Sequence, residues 1–206
     1  MMVKKRNEDQ WRDDLIELLQ VKFPNLIIER KNILKDVFLK KNKNKEFELQ
    51  LGFFEQDIVI YRKNDLLNIK DLNASKSLKI HNNNGVEKNT LIIPSIIIEL
   101  KYDGVNTHGL ITYSNIASDI KSIFPNCKYL FVLRYNSGSS DNKFLRNGKN
   151  FDNILYFQNE GNYGKQYNKG DFKKDRDNSE EITEKWKSLI DYIEPIMNSK
   201  QEMFLK

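Results

Sequence analysis

The chain has 206 residues, of which 39% are hydrophobic and 31% charged, and its formal net charge is +5. The length suits one generous domain, and the composition excludes collagen-like, low-complexity and disordered proteins. The single cysteine, Cys127, excludes an internal disulfide and a cysteine-built zinc site, and it favours a reducing compartment. A charge excess of this size permits a polyanionic partner without requiring one.

The sequence predicts neither a signal peptide nor a membrane span. Residues 1–11 are charged and lead directly into a helical pattern. The most apolar stretch, residues 91–100, is interrupted by Pro94 and Ser95 and is shorter than the ~20 residues that a span needs. We therefore expect a soluble, cytoplasmic protein without a membrane partner.

The first half of the chain predicts one helix followed by strands. Apolar residues at helical spacing predict a helix over residues 8–22, which Pro24 ends. Strand-like segments follow at 26–29, 37–39, 47–54 and 57–61, with a solvated hairpin turn at 40–45. Residues 64–89 are polar, rich in Asn and Lys, and predict an insertion.

The second half predicts a strand-helix-strand unit and a final helix. A strand over 92–101, a helix over 107–124 and a strand over 129–133 form a right-handed βαβ crossover. A further strand is predicted at 154–157, a loop at 158–178, and a helix from 178 or 179 onward. This order indicates an α/β fold with a mixed sheet, and the chain has no glycine-rich phosphate loop.

Three polar residues stand out because they occupy apolar strands. Glu99 and Lys101 lie on one face of their strand, since strand side chains alternate. Burying a carboxylate and an ammonium there is costly unless they are paired or bind something. Asp57 opens the apolar segment DIVIY and places a third charged group at the mouth of a core strand.

An Asp on one strand, Glu-x-Lys on the next, and then a helix and an apolar strand resemble the PD-(D/E)XK, or restriction-endonuclease-like, nuclease superfamily. The matching residues are Asp57, Glu99 and Lys101, and the resemblance covers residues 8–135. The sequence departs from the pattern at Gln56, which replaces the motif's proline, and in the long interval before Glu99, which requires 64–89 to be looped out.

The resemblance implies a restriction-endonuclease-like core, with a central mixed β-sheet flanked by helices in α-β-β-β-α-β order, inserted loops and a C-terminal helix. We expect one nuclease domain over residues 1–206. Residues 8–135 would form the catalytic core, with 64–89 inserted, and residues 136–206 an extension for recognition or dimerisation.

Phosphodiester hydrolysis explains the residue types. Asp57 and Glu99 would hold Mg²⁺, for which Mn²⁺ can substitute, because hard oxygen ligands suit these ions. Lys101 would polarise the attacking water or stabilise developing charge. The resemblance further implies the main-chain carbonyl of Leu100 as a ligand and an acidic residue from the first helix. Helical phase favours Glu8 for this position and leaves Asp14, or neither residue, open.

The sequence thus predicts a Mg²⁺-dependent endonuclease that cleaves double-stranded DNA as a homodimer, most like a type II restriction enzyme, without an organic cofactor. Two alternatives stay open: a structure-specific repair or junction-resolving nuclease, and a noncatalytic nucleic-acid-binding module of a defence system. Binding that is independent of metal and unaccompanied by cleavage distinguishes the noncatalytic module.

Other residues have simpler interpretations. His108 is expected to be a polar neighbour of a helix cap, and Cys127 a packing residue. Two basic segments, at 30–45 and 143–176, are candidate nucleic-acid contacts, and the later one is favoured because aromatic residues are interleaved with its lysines.

Overall fold

The computed structural model describes residues 6–41, 43, 47–68, 79–82, 90–137, 140–161 and 165–199. Its helices are α1 (Asn7–Lys22), α2 (Thr107–Ile123), α3 (Asp141–Asn147), α4 (Asp171–Asn178) and α5 (Glu180–Asn198). Its strands are β1 (Ile27–Lys41), β2 (Phe47–Tyr61), β3 (Leu66–Asn68), β4 (Lys79–Asn82), β5 (Thr90–Ile92), β6 (Ile96–Lys101), β7 (Lys128–Tyr135) and β8 (Asn153–Gln158).

The main sheet has the order β1-β2-β6-β7-β8. The pairs β1-β2 and β2-β6 are antiparallel, whereas β6-β7 and β7-β8 are parallel. Helix α2 connects the parallel strands β6 and β7, so the predicted βαβ unit is confirmed. The sheet is therefore mixed, with its parallel half built around this crossover.

Helices cover both faces of the sheet. Ile98 and Leu100 of β6 pack in one buried cluster with Trp11 of α1 and Leu189 of α5. The alternate residue Ile97 packs on the opposite face, in a cluster that includes α2. Because strand side chains alternate, Glu99 and Lys101 lie on the same face of β6 as Ile97, which is the face covered by α2.

The prediction of four short strands in residues 26–61 was wrong, because the structure has two long ones. β1 and β2 form an antiparallel hairpin whose register shifts between Glu29 and Lys31 and again between Leu34 and Asp36. Such irregularities break the alternation of apolar and polar residues from which a strand is recognised. Of the hairpin turn predicted at 40–45, residues 42, 44 and 45 lie outside the described part.

Pro94 separates two strands that the sequence merged into one. β5 ends at Ile92, and β6 begins only at Ile96. Proline cannot donate to a ladder, which explains the break. Within the predicted insertion at 64–89, the described residues form β3, which pairs with β5, and β4, which pairs in parallel with β2; residues 69–78 and 83–89 lie outside the description.

The segment after residue 135 contributes to the same core as the segment before it. β8 extends the main sheet, and Tyr167, Phe172 and Leu189 belong to the buried cluster around Trp11. Helix α5 confirms the predicted final helix, and the Ser179 hydroxyl caps it by accepting from the Ile182 amide. No helix in the described residues is long and apolar enough to cross a membrane.

Helices α3 and α4 were not predicted. Each buries a single aromatic residue, Phe144 in α3 and Phe172 in α4. One apolar residue cannot produce the repeating stripe by which a helix is recognised. The start of α4 instead depends on Gly170, whose φ of 85° lies in the left-handed region.

Because α5 completes the core, removing apolar volume from it should destabilise the whole domain. We expect Leu189→Ala, at a residue 1% exposed, to lower the free energy of unfolding by about 2–5 kcal/mol. The same substitution at Leu145, which is 74% exposed, should change it by less than about 0.5 kcal/mol. Urea denaturation of both variants measures these changes. Equal decreases in the free energy of unfolding would contradict the conclusion that α5 is part of the core.

Candidate active site

The carboxyl end of β6 brings together the acidic residues predicted on two strands. Ile58 of β2 pairs with Ile98 of β6 in antiparallel register, so Asp57 lies next to Glu99. The Asp57 carboxylate accepts a hydrogen bond of 3.0 Å at Oδ2 from the Leu100 amide. A strand residue's main chain therefore orients the first acidic group of the site.

Glu99 and Lys101 form an ion pair at the same strand end. The distance between Lys101 Nζ and Glu99 Oε1 is 3.1 Å, and the Glu99 side chain is only 6% exposed. The two residues share a face of β6, as strand alternation predicted. The pairing places a cation within hydrogen-bonding reach of a nearly buried carboxylate.

Helix α1 supplies a third carboxylate, and it is Glu8 rather than Asp14. Glu8 Oε1 lies 3.6 Å from Lys101 Nζ, and Oε2 accepts a hydrogen bond of 3.1 Å from the Tyr102 amide. Asp14 is buried elsewhere, where it accepts from the Tyr167 hydroxyl at 2.5 Å and the Gly170 amide at 2.7 Å. Asp14 thus holds the segment before α4, and the site takes its helical carboxylate from Glu8.

Sequence reasoning missed Arg12, the second cation of the site. Its Nη1 lies 3.5 Å from Asp57 Oδ1 and 2.9 Å from Asp9 Oδ1, and its side chain is 7% exposed. Arg12 follows Glu8 by four residues, so both lie on one face of α1. This spacing of four residues from Glu8 was the feature of the sequence from which Arg12 could have been found.

Two aromatic residues contact Lys101 and Gln56 beside the carboxylates. Lys101 Nζ lies 4.5 Å from the centre of the Tyr113 ring of α2, a cation–π contact. Gln56, in the position where the family motif has proline, is fully buried and accepts a hydrogen bond of 2.7 Å from the Tyr129 hydroxyl. The sequence marked neither role, because each depends on a partner from a distant element.

The electrostatics of the cluster are dominated by the burial of Glu99. Burial, with smaller contributions from the negative charges of Asp57 and Glu8, raises the pKa of Glu99 to about 8 against the opposing effect of Lys101. Burial by itself would lower the pKa of Lys101, but the surrounding carboxylates, chiefly Glu99 and Glu8, raise it above its usual range. The site therefore holds a permanent cation beside a carboxylate that ionises reluctantly.

The donor set fits a hard divalent cation. In the described residues no group of three or more His, Cys, Asp or Glu side chains is placed to hold a metal ion by itself. Mg²⁺ does not need one, because it is commonly held by one or two carboxylates together with water and substrate phosphate. The crowding of Asp57 and Glu8 around buried Glu99 supplies the negative potential that a cation would relieve.

The other residues considered from the sequence have different environments. Cys127 is buried in the core beside α2, and His108 is exposed in the first turn of that helix. In the later basic segment, the described aromatic residues are engaged in the core: Phe144, Tyr167 and Phe172 are buried and Phe151 is partly buried. These four residues are therefore not available to stack on bases, whereas Tyr163 lies outside the described residues. The lysines and arginines of the segment stay candidates for nucleic-acid contact.

Comparison with known proteins gives a match in fold only. No protein-family model and no curated protein matches the sequence. Among solved structures, the chain is similar to BbvCI, a type II restriction enzyme described as an A2B2 tetramer, with a TM-score of 0.50 and 11% identity. The similarity covers 86% of this chain and 61% of the BbvCI chain, so this chain spans less than two thirds of that protein's length.

The central mixed sheet flanked by helices is thus a restriction-endonuclease-like fold, and the fold class predicted from the sequence is confirmed.

The raised pKa of Glu99 predicts a specific pH dependence of stability. Between about pH 4.5, the ordinary pKa of the group, and about pH 8, the folded protein keeps a proton that the unfolded chain loses. The free energy of unfolding of the wild type should therefore fall, relative to that of Glu99→Gln, as the pH rises through this window. Above the window the difference should be constant.

Urea unfolding in the presence of EDTA measures this difference. Glu17→Gln, at a residue whose side chain is 62% exposed, controls for the loss of one carboxylate. A difference between wild type and Glu99→Gln that does not change with pH would contradict the assignment.

Proposed function

We propose that this chain is a metal-dependent endonuclease that hydrolyses phosphodiester bonds in double-stranded DNA. The observation that carries the proposal is the convergence of Asp57, Glu99 and Lys101 at one strand end, with the Leu100 amide bound to Asp57 and Lys101 paired to Glu99. Two carboxylates and a lysine in this arrangement match the requirements of phosphate-ester hydrolysis. The restriction-endonuclease-like fold supports the same conclusion.

Asp57, Glu99 and the main-chain carbonyl of Leu100 are the residues proposed to hold Mg²⁺, with Mn²⁺ as a substitute. The bound ion would supply charge neutralisation at the phosphate and lower the pKa of a bound water. The residues contribute orientation: the amide of Leu100 fixes the Asp57 carboxylate, and β6 fixes Glu99. Burial opposes the ionisation of Glu99, and a bound cation would favour it. Metal binding and ionisation of Glu99 would therefore favour each other.

Lys101 is proposed to hold the attacking water and to stabilise negative charge as it develops on the phosphate. Its Nζ is positioned from three sides, by Glu99 at 3.1 Å, by Glu8 at 3.6 Å and by the Tyr113 ring at 4.5 Å. Because its pKa is raised, Lys101 stays protonated at neutral pH and acts as a fixed cation, not as a general base.

The biological reaction we propose is sequence-specific cleavage of both strands, as in a type II restriction enzyme. Two copies related by a twofold axis would place one active site on each strand of a palindromic site. The net charge of +5 is compatible with a polyanionic substrate. BbvCI is described as an A2B2 tetramer, which supports oligomerisation in general; the assembly of identical subunits is our proposal.

Cleavage assays on supercoiled and linear DNA test the proposal. With Mg²⁺ the wild type should yield discrete fragments, and EDTA should prevent their formation. Lys101→Ala should reduce the rate at least about a hundredfold, because it removes a cation that stabilises the transition state. Lys187→Ala, at an exposed lysine of α5, should leave the rate unchanged and controls for loss of positive charge.

The same assay separates the alternatives. Cleavage confined to branched DNA would favour a junction-resolving or repair nuclease over a restriction enzyme. DNA binding that is equal with Mg²⁺ and EDTA, without cleavage in either, would contradict the enzyme and favour a noncatalytic binding module.

A further inference from the structure

The outer segment of β1, residues 36–41, exposes three consecutive apolar side chains. Val37, Phe38 and Leu39 are 48%, 53% and 68% exposed. Single exposed apolar residues are ordinary on a protein surface, whereas a continuous group of them indicates a site of association. The group lies at an edge of the main sheet, since within the described residues β1 pairs only with β2. An edge strand presents N–H and C=O groups that another strand can bind.

The directions of these side chains indicate which kind of partner fits. Val37 and Leu39 share one face of the sheet, and Phe38 points to the other face, because strand side chains alternate. A helix packed on either face would cover only one of these two sets. A strand added at the edge contacts side chains on both faces and also binds the main chain.

The outer segment is complementary to a second copy of itself. Asp36 precedes the apolar group and Lys40 follows it. In an antiparallel pair centred on Phe38, the Asp36 of each copy is opposite the Lys40 of the other. Val37 is opposite Leu39 in the same arrangement, and the two Phe38 side chains meet at the twofold axis. Opposite charges and apolar residues that face each other in this way stabilise antiparallel strands.

The neighbouring registers lack this complementarity. Centring the pair on Val37 would place Asp36 opposite Phe38. Centring it on Leu39 would place Phe38 opposite Lys40. The register shift of β1 just before Asp36 ends the regular part of the strand, so the pairing covers residues 36–40 of each copy.

The other charges around the outer segment are compatible with this pairing. Lys35 is engaged within its own chain, where its Nζ lies 3.3 Å from Asp119 Oδ2 and 3.5 Å from Asp36 Oδ2. The Asp36 side chain is still 34% exposed. Residues 40–48, at the far end of the hairpin, contain four lysines and two glutamates. Two carboxylates beside one lysine would thus face the basic end of the second copy.

We infer that the outer segment of β1 pairs with the same segment of a second copy of this chain, so that the two main sheets join across a twofold axis at Phe38. The inference rests on the proposed function, because it names the surface that forms the proposed homodimer. Such an interface uses the same residues on both chains. Five residues a side make a small interface, so we expect a dissociation constant in the micromolar range.

Sedimentation velocity of the DNA-free protein at increasing concentration tests the pairing and its register. The wild type should pass from monomer to dimer. Asp36→Lys and Lys40→Asp should each weaken the dimer at least about tenfold, because each places like charges opposite one another at two positions of the dimer. The double variant, Asp36→Lys with Lys40→Asp, should restore dimerisation, since opposite charges then face each other again.

Recovery in the double variant would report a contact between chains. Residues 36 and 40 of one strand are about 13 Å apart, and side chains stand roughly perpendicular to a sheet, so the two do not pair within a chain. Asp177→Lys is the matched control. The Asp177 side chain is 50% exposed and contacts the preceding Arg176, as Asp36 contacts the preceding Lys35. This variant should dimerise like the wild type.

Disulfide trapping tests the position of the twofold axis. Phe38→Cys should form a disulfide-linked dimer on oxidation, because directly opposite residues have Cα atoms about 4.5–5.5 Å apart, within the range that a disulfide requires. Phe54→Cys, at a residue of β2 that is 40% exposed, is the control and should remain monomeric under reducing-agent-free electrophoresis. Cys127 is 1% exposed and should not react.

The outcomes separate this inference from the proposed function. A monomeric wild type, a dimer that neither single charge variant weakens, or a weakened dimer that the double variant does not restore would overturn the inference. Equal trapping of Phe38→Cys and Phe54→Cys would overturn it as well, and this test applies even if a charge variant does not fold. Metal-dependent cleavage in any of these cases would leave the nuclease in place. Dimerisation with recovery but without cleavage would support the interface and contradict the enzyme.

Discussion

The nearly buried carboxylate of Glu99 is the constraint around which the site is arranged. A charge at this depth is costly, and Asp57 and Glu8 add repulsion to the cost of burial. The surrounding elements offset this unfavourable energy with groups of different kinds. β6 itself provides Lys101 at 3.1 Å, α2 provides an aromatic face for that lysine, and α1 provides Arg12 against Asp57.

The topology explains why these groups meet at one place. β2 and β6 run antiparallel as neighbours, so an aspartate on β2 lies beside the carboxyl end of β6. Helix α2 leaves that same end of β6 and returns to β7, which brings its first turns close to Lys101. The N-terminal turns of α1 cross the same region, since Glu8 binds the Tyr102 amide. A charged site in an otherwise apolar core is thus assembled from the ends of packed elements.

The fold also decides which conspicuous residues are not part of the site. Tyr167 and Phe172, which in the sequence look like companions of basic residues, complete the cluster around Trp11. Asp14, one candidate for the helical ligand, holds the Tyr167 hydroxyl and the Gly170 amide instead. Tyr167 and Phe172 therefore contribute to the core, and the exposed lysines of the late segment stay candidates for contact with a polyanion.

The sequence by itself determined the fold class, the βαβ crossover, the first and last helices, and Asp57, Glu99 and Lys101 as a group. Those features are encoded locally, in apolar periodicity and in charges that interrupt it. Tertiary structure alone decided between Glu8 and Asp14, introduced Arg12 and Tyr113, joined the early strand segments into one bulged hairpin, and formed α3 and α4. These depend on contacts between residues far apart in the chain, and the periodicity of a single segment carries no information about its partner.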